Sequence, residues 1–279
     1  MERCSNNLNS ALGAKMNDTE YIRKFQSIFD LTGRVAIVTG AAGGLGRIIT
    51  LSLVAFGAHV VLASRNIEEL KQLQREIQEF GGLALAVATD ITQEDQVDKM
   101  VAKTLERFEK IDILINNAAI LQRARAEEMS LESWQKVMET NVTGAFLCSQ
   151  KVGKTMIPRK RGKIINISSV RGRFGRPEYY TSYCTSKGGL DSLTRALACE
   201  WGKYNINVNT IAPSLFEAGT AKTSLAEPDY RKKVVERIPL KRWGEIDDLI
   251  GSVVFLASDA SNFVNGHILY VDGGYSVSA

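Results

Sequence analysis

Seven short apolar runs, each separated from the next by a longer helical pattern, constrain this chain more than any other feature. They are RVAIVTG (34–40), HVVLAS (59–64), LALAVATD (83–90), DILINNA (112–118), GKIINISS (162–169), INVNTIAP (206–213) and HILYVDG (267–273). All are apolar on both faces instead of alternating, which is the pattern of parallel strands covered by helices on either side. The segments between them include IEELKQLQREIQEFGG, starting at Ile67, which ends in a glycine pair suited to a helix C-terminus. Seven strands spaced by helices make a doubly wound α/β sheet, all parallel, in a single domain. That domain is expected over residues 31–279. Residues 1–30 are expected as an N-terminal extension, partly disordered, with a short helix over 19–29. The stretch 214–235 reads as a mobile insert.

The bulk properties narrow the function classes. A chain of 279 residues suits one large domain, and 35 Lys and Arg against 31 Asp and Glu give a net charge of +4. That balance does not point to a nucleic acid partner. Cys4, Cys148, Cys184 and Cys199 have neither metal-ligand spacing nor disulfide density, which fits a reduced, cytoplasmic setting. No window approaches the roughly 18 apolar residues of a membrane span, and residues 1–30 lack the apolar core of a secretory signal. No cluster of His, Cys and carboxylates suggests a metal.

Between the first strand and the helix after it the chain reads TGAAGGLG, Thr39 to Gly46. Gly40, Gly43, Gly44 and Gly46 let a ligand reach the backbone at a helix N-terminus, where unpaired N–H groups and a partial positive charge favour a pyrophosphate. A glycine cluster alone is weak evidence. Its place inside a βαβ unit makes it a dinucleotide loop of a Rossmann fold, with Leu45 lining it. At the tip of the second strand an acid would select NAD, whereas an arginine accommodates a 2′-phosphate. This chain has Ser64 and Arg65 there and no carboxylate, so the expected cofactor is NADPH/NADP rather than NAD. Arg47 is a candidate second cation near the loop.

The segment Tyr183-Cys-Thr-Ser-Lys187 places a phenol and an ammonium one helical turn apart on a shared face. Tyrosine, with a pKa of about 10, is a poor acid–base group at neutral pH. A neighbouring ammonium and a cationic nicotinamide ring would favour the phenolate.

With these pieces in place, the chain resembles the short-chain dehydrogenase/reductase family over essentially 31–276, and most of all its gluconate 5-dehydrogenase branch. The resemblance rests on TGAAGGLG, NNAA (116–119), Asn141 in TNVTGAF, INISS, YCTSK, IAP and the terminal VDGG. SRNIEEL, FDLTGR and the C-terminal third point to the branch. It implies a catalytic tetrad: Ser169 on the substrate carbonyl, Tyr183 as proton donor or acceptor, Lys187 on the nicotinamide ribose, and Asn141 holding a water in a proton relay. Ser168 is the rival serine. The resemblance also places Asp90 and Ile91 near the adenine, Asn117 and Ala118 near the riboses, Pro213 near the nicotinamide, and a homotetramer around the helices after strands four and five, including Trp134, Phe146, Leu190 and Trp201. In one respect the chain departs from the family: Ser214 follows Pro213 and position 218 is Ala, leaving Thr220 as the candidate for the family's cofactor-binding threonine.

The implied reaction is NADP(H)-dependent hydride transfer to or from a small carbonyl or alcohol, a sugar acid or keto-acid. Arg171, Arg173 and Arg176, between Ser169 and Tyr183, are candidates to clamp its carboxylate. A 3-oxoacyl-ACP reductase or a general carbonyl reductase is the alternative enzyme. A nucleotide-sensing regulatory protein is the alternative outside catalysis, and the complete tetrad argues against it.

Overall fold

The computed structural model describes residues 17–175, 179–216 and 228–278. Seven strands form one sheet: β1 (Val35–Thr39), β2 (His59–Ser64), β3 (Ala84–Ala88), β4 (Ile113–Asn116), β5 (Gly162–Ile167), β6 (Ile206–Pro213) and β7 (Ile268–Val271). Their order is β3-β2-β1-β4-β5-β6-β7 and every pairing is parallel. The order reverses at β1 and β4, which leaves a crevice at the carboxyl ends of these two strands.

The described helices are α1 (Asp18–Ser27), α2 (Gly44–Ala55), α3 (Ile67–Glu79), α4 (Glu94–Phe108), α5 (Leu131–Met138), α6 (Gly144–Met156), α7 (Thr181–Trp201), α8 (Pro228–Arg237) and α9 (Asp247–Ala257). Alternate strand residues feed two separate cores, which is why the strands read as apolar throughout. Ala36, Val38, Val60, Leu62, Ile113 and Ile115 pack with Leu53 of α2, Leu73 of α3 and Val253 of α9. Ile37, Val61, Leu114 and Ile164 pack on the other side with Met100 of α4, Val152 of α6 and Trp201 of α7. At Gly153 of α6 a Cβ would come within 2.7 Å of the Trp201 ring of α7.

Several strands are shorter than the apolar runs suggest, because the chain leaves the sheet where it builds the crevice. Asn117 and Ala118, read as part of β4, donate their N–H groups to Thr39 Oγ1 at 3.0 and 3.1 Å instead of pairing with a strand. The extension helix α1 begins one residue earlier than expected and ends two earlier, with Asn17 and Glu20 forming a reciprocal cap. Leu190 and Trp201, expected at a subunit interface, are buried in the chain's own interior, whereas Phe146 is exposed. Residues 217–227 of the expected insert lie outside the described residues. Among the described residues no helix is long and apolar enough to cross a membrane.

Candidate active site

The crevice is a cavity of about 680 Å³ running from the tip of β2, past the loop after β1, to the end of β5 and the start of α7. Ligand pockets commonly fall between about 300 and 1,000 Å³. At one end lie Ser64 and Arg65, in the middle Gly43, Gly44, Leu45 and Ala118, and at the other end Ser169, Tyr183 and Lys187. Gly40, Asp90, Ile91, Asn117 and Pro213 also line it.

The loop after β1 fits a dinucleotide phosphate. Gly43 is the N-cap of α2 and no side chain caps that helix, so its first N–H groups have no capping acceptor. A Cβ on Gly43 would meet nothing within 4 Å and would project into the loop's open mouth. Gly46 does not line the cavity. A Cβ there would lie 2.0 Å from the Gly40 carbonyl oxygen, so its role is to let α2 pack against the turn. Gly40 holds φ at +65°, and Asn117 Nδ2 ties the turn by donating to the carbonyls of Thr39 (2.9 Å) and Gly40 (3.2 Å). Arg47, the candidate second cation, forms an ion pair with Glu76 of α3 and does not line the cavity.

At the reacting end, Tyr183 shares a hydrogen bond with Ser169. Ser169 Oγ also accepts from the Arg171 N–H at 3.1 Å. Ser168 turns away: its hydroxyl donates to the Lys187 carbonyl at 3.2 Å and hydrogen-bonds the Asp191 carboxylate. The geometry therefore separates the two serines and puts Ser169 beside the phenol. The Lys187 ammonium lies 5.5 Å from the Tyr183 ring centroid and donates to the Ile167 carbonyl at 2.7 Å. Burial lowers its pKa to about 8, opposed by the charge of Asp191 one turn along α7.

The Tyr183 phenol differs from the sequence expectation. Burial pushes its pKa up to about 12, against the Ser169 hydrogen bond and the Arg171 charge. In the protein alone desolvation outweighs neighbouring cations, and the phenol is held neutral.

Asn141 sits in a π-helical turn, Glu139–Thr143, between α5 and α6. Such turns often mark functional positions. Its side chain accepts from the Ile120 N–H (2.8 Å) and donates to the Ile120 carbonyl (2.9 Å) and Ser186 Oγ (3.0 Å). It is buried behind the cavity wall and braces the loop after β4 against α7.

The expected carboxylate clamp is placed differently. Arg171 donates to the Tyr275 hydroxyl (3.1 Å) and the Gly175 carbonyl (3.2 Å), Arg173 hydrogen-bonds Tyr270, and neither lines the cavity. Arg176 and Thr220 lie outside the described residues. Lys187 and Lys136 line the cavity, whereas Arg123, which the sequence reading passed over, stands outside its lining beside Tyr180. The Arg123 guanidinium lies 5.1 Å from the Tyr180 ring centroid and donates to the Tyr180 hydroxyl at 2.7 Å, and Tyr180 meets Tyr183 edge-on at 6.1 Å. The available signal was its position, seven residues past β4 on a loop at the carboxyl edge of the sheet, where ligands bind in this architecture.

Comparison with known proteins settles the ancestry. A family profile described as enoyl-(acyl carrier protein) reductase matches residues 40–276. Gluconate 5-dehydrogenase of Gluconobacter oxydans is 41% identical over 251 residues, covering 90% of this chain and 98% of the relative. The chain belongs to the short-chain dehydrogenase/reductase family. The family resemblance seen in the motifs therefore holds, and the protein is an oxidoreductase acting on CH–OH groups. A 3-oxoacyl-[acyl-carrier-protein] reductase of Synechocystis is 37% identical over 246 residues, covering 88% of this chain and 97% of that one. A solved structure of a gluconate 5-dehydrogenase from Burkholderia cenocepacia, in complex with NADP and tartrate, superposes with a TM-score of 0.86 at 36% identity, covering 90% and 98% of the two chains.

Proposed function

We propose that this protein interconverts a secondary alcohol and a ketone on a sugar acid, using NADP(H). The observation that carries the reading is one continuous cavity with Ser64 and Arg65 at one end and Ser169, Tyr183 and Lys187 at the other. Arg65 would hold the 2′-phosphate, the Gly43–Leu45 backbone the pyrophosphate, and Lys187 the nicotinamide ribose. When bound, the nicotinamide supplies or accepts the hydride. The protein's part is the proton and the carbonyl. In the reductive direction Ser169 donates a hydrogen bond to the carbonyl oxygen and Tyr183 delivers its phenolic proton to that oxygen as the alkoxide forms. Lys187 stabilises the resulting phenolate, and a water held near Asn141 and Lys187 restores the proton. Burial suits Tyr183 to this role, because a neutral phenol is the competent donor.

The sugar-acid class is supported by the names of the Gluconobacter and Burkholderia relatives. The acyl-carrier reductase relative favours the second reading, a 3-oxoacyl thioester. Assaying NADPH oxidation with 5-keto-D-gluconate and with an acetoacetyl thioester separates the two. The proposal expects the keto-acid to be reduced with the higher kcat/KM, and a preference for the thioester reverses it. Assembly as a homotetramer in the cytoplasm completes the reading, and sedimentation as a 30.7 kDa monomer would contradict the assembly.

A further inference from the structure

A second cavity, of about 230 Å³, opens at the amino-terminal edge of the sheet, the edge opposite the active site. Three cations line it: Arg34 just before β1, Arg161 just before β5, and Lys163 on β5. Two carboxylates also line it, but Asp112 is already occupied by Arg159 at 2.6 Å and Lys110 at 3.4 Å. Asp259 remains, shared between Arg34 at 2.7 Å and Arg161 at 3.3 Å. One carboxylate thus faces three positive groups.

The cations are not saturated. Lys163 is buried, yet its ammonium is held by neutral acceptors alone: Asn207 Oδ1 (2.9 Å), Asn262 Oδ1 (2.9 Å) and Ser261 Oγ (3.1 Å). It has hydrogen bonds but no direct ion pair, an expensive state for a buried charge. Arg34, with its side chain only 12% exposed, gives one of its five N–H groups to Asp259. Its other N–H groups have no partner among the described residues. The charges of Arg34 and Arg161 both act on Lys163 and help lower its pKa, so the three cations share one field.

We propose that this cavity binds a phosphate group, as inorganic phosphate or a small phosphomonoester. The unused Arg34 donors and the half-exposed Arg161 supply the planar forks that match phosphate oxygens, and Lys163 supplies a fixed positive charge behind them. The volume leaves room for one compact anion and its residual hydration. The site is independent of the cofactor cavity, since β1 and β5 run the width of the sheet between them.

The test is calorimetric titration of the full-length protein with inorganic phosphate at fixed ionic strength, saturated with NADPH so that the Arg65 end is filled. Glycerol 2-phosphate is titrated in a parallel arm. Binding of one equivalent is expected, with a rise in Tm of about 3–6 °C at ten times the dissociation constant. Arg161→Ala, a surface change that leaves the fold intact, should weaken binding by roughly 10- to 150-fold, the loss of one charge-assisted contact. Arg65→Ala should leave it unchanged. Binding of both titrants assigns the site to phosphomonoesters, and binding of inorganic phosphate alone assigns it to the free ion. The proposal is overturned if the NADPH-saturated protein takes up neither titrant, or if Arg161→Ala binds like the unaltered chain.

Discussion

Burial sets the acid–base character of Tyr183 before any partner acts on it, and that makes the residue testable on its own. A phenol raised to about 12 is a proton donor at neutral pH and a poor base. Tyr183→Phe removes the proton while keeping the ring that packs against Tyr180, so reduction should fall by roughly 10²–10⁴. NADPH affinity, read by cofactor fluorescence, should stay within a few-fold, and near-normal turnover would remove Tyr183 from the mechanism. Arg65 gives a complementary prediction at the far end of the cavity. Arg65→Ala should weaken NADPH by about 10-fold or more in direct binding and leave NADH nearly unchanged, because only NADPH carries the 2′-phosphate. Equal losses for both would mean that Arg65 contacts something common to the two. The YCTSK and SRN motifs made these residues legible because each motif packs its chemistry into a few consecutive positions. Arg123 was not legible in that way, since its place beside Tyr180 depends on how the loop after β4 meets the start of α7.

The elements were legible where one physical requirement governs every residue in them. Each strand of a sheet covered on both faces must be apolar throughout, so β1 to β7 stand out in the sequence within a few residues of their observed bounds. The departures fall where the chain stops serving the sheet, as at Asn117 and Ala118. The π turn at Asn141 had no sequence signature, because the partners that hold its side chain, Ile120 and Ser186, lie 21 and 45 residues away. The loop after β1 combines both situations. Its glycines are plain in the sequence, but only the structure divides them into Gly43, which leaves the mouth open, and Gly46, which lets α2 approach Gly40. Gly46→Ala must push α2 away from the turn, because a Cβ cannot stand 2.0 Å from a carbonyl oxygen. The expected outcome is loss of cofactor binding together with a lowered Tm. Gly43→Ala, whose Cβ meets open space, should hold its Tm and lose affinity alone. Equal melting of the two variants would contradict this division.

Across the molecule, buried ionisable groups at the two edges of the sheet give the stability a definite pH dependence. At the acid end Asp112 is the buried carboxyl held low among the described residues. It is 3% exposed, accepts from the Val35 N–H at 3.0 Å and pairs with Arg159, and these partners hold its carboxyl below the ordinary 3.8 despite burial. A carboxyl depressed on folding contributes stability above its unfolded pKa and loses it as pH falls through the folded one. Unfolding at pH below about 4 should therefore be eased in the wild type, and Asp112→Asn should flatten that acid limb while lowering Tm at pH 7. The alkaline side runs the other way. Lys163 and Lys187 are each lowered to about 8 from 10.5 by burial, so between those values the unfolded chain binds more protons than the folded one. Stability then rises with pH over that window, by up to about 1.4 kcal/mol per unit for each lysine. Two buried acids oppose this rise because their unfolded forms ionise first: Cys148, raised from 9.0 to about 12, above pH 9, and Tyr183, raised from 10.0 to about 12, above pH 10. Denaturant unfolding should show stability climbing between pH 8 and 9 and levelling off by about pH 10. Lys187→Met should roughly halve the rise between pH 8 and 9, leaving the part due to Lys163. A profile that falls steadily from pH 7 to 10 would mean that neither ammonium is desolvated as the fold requires.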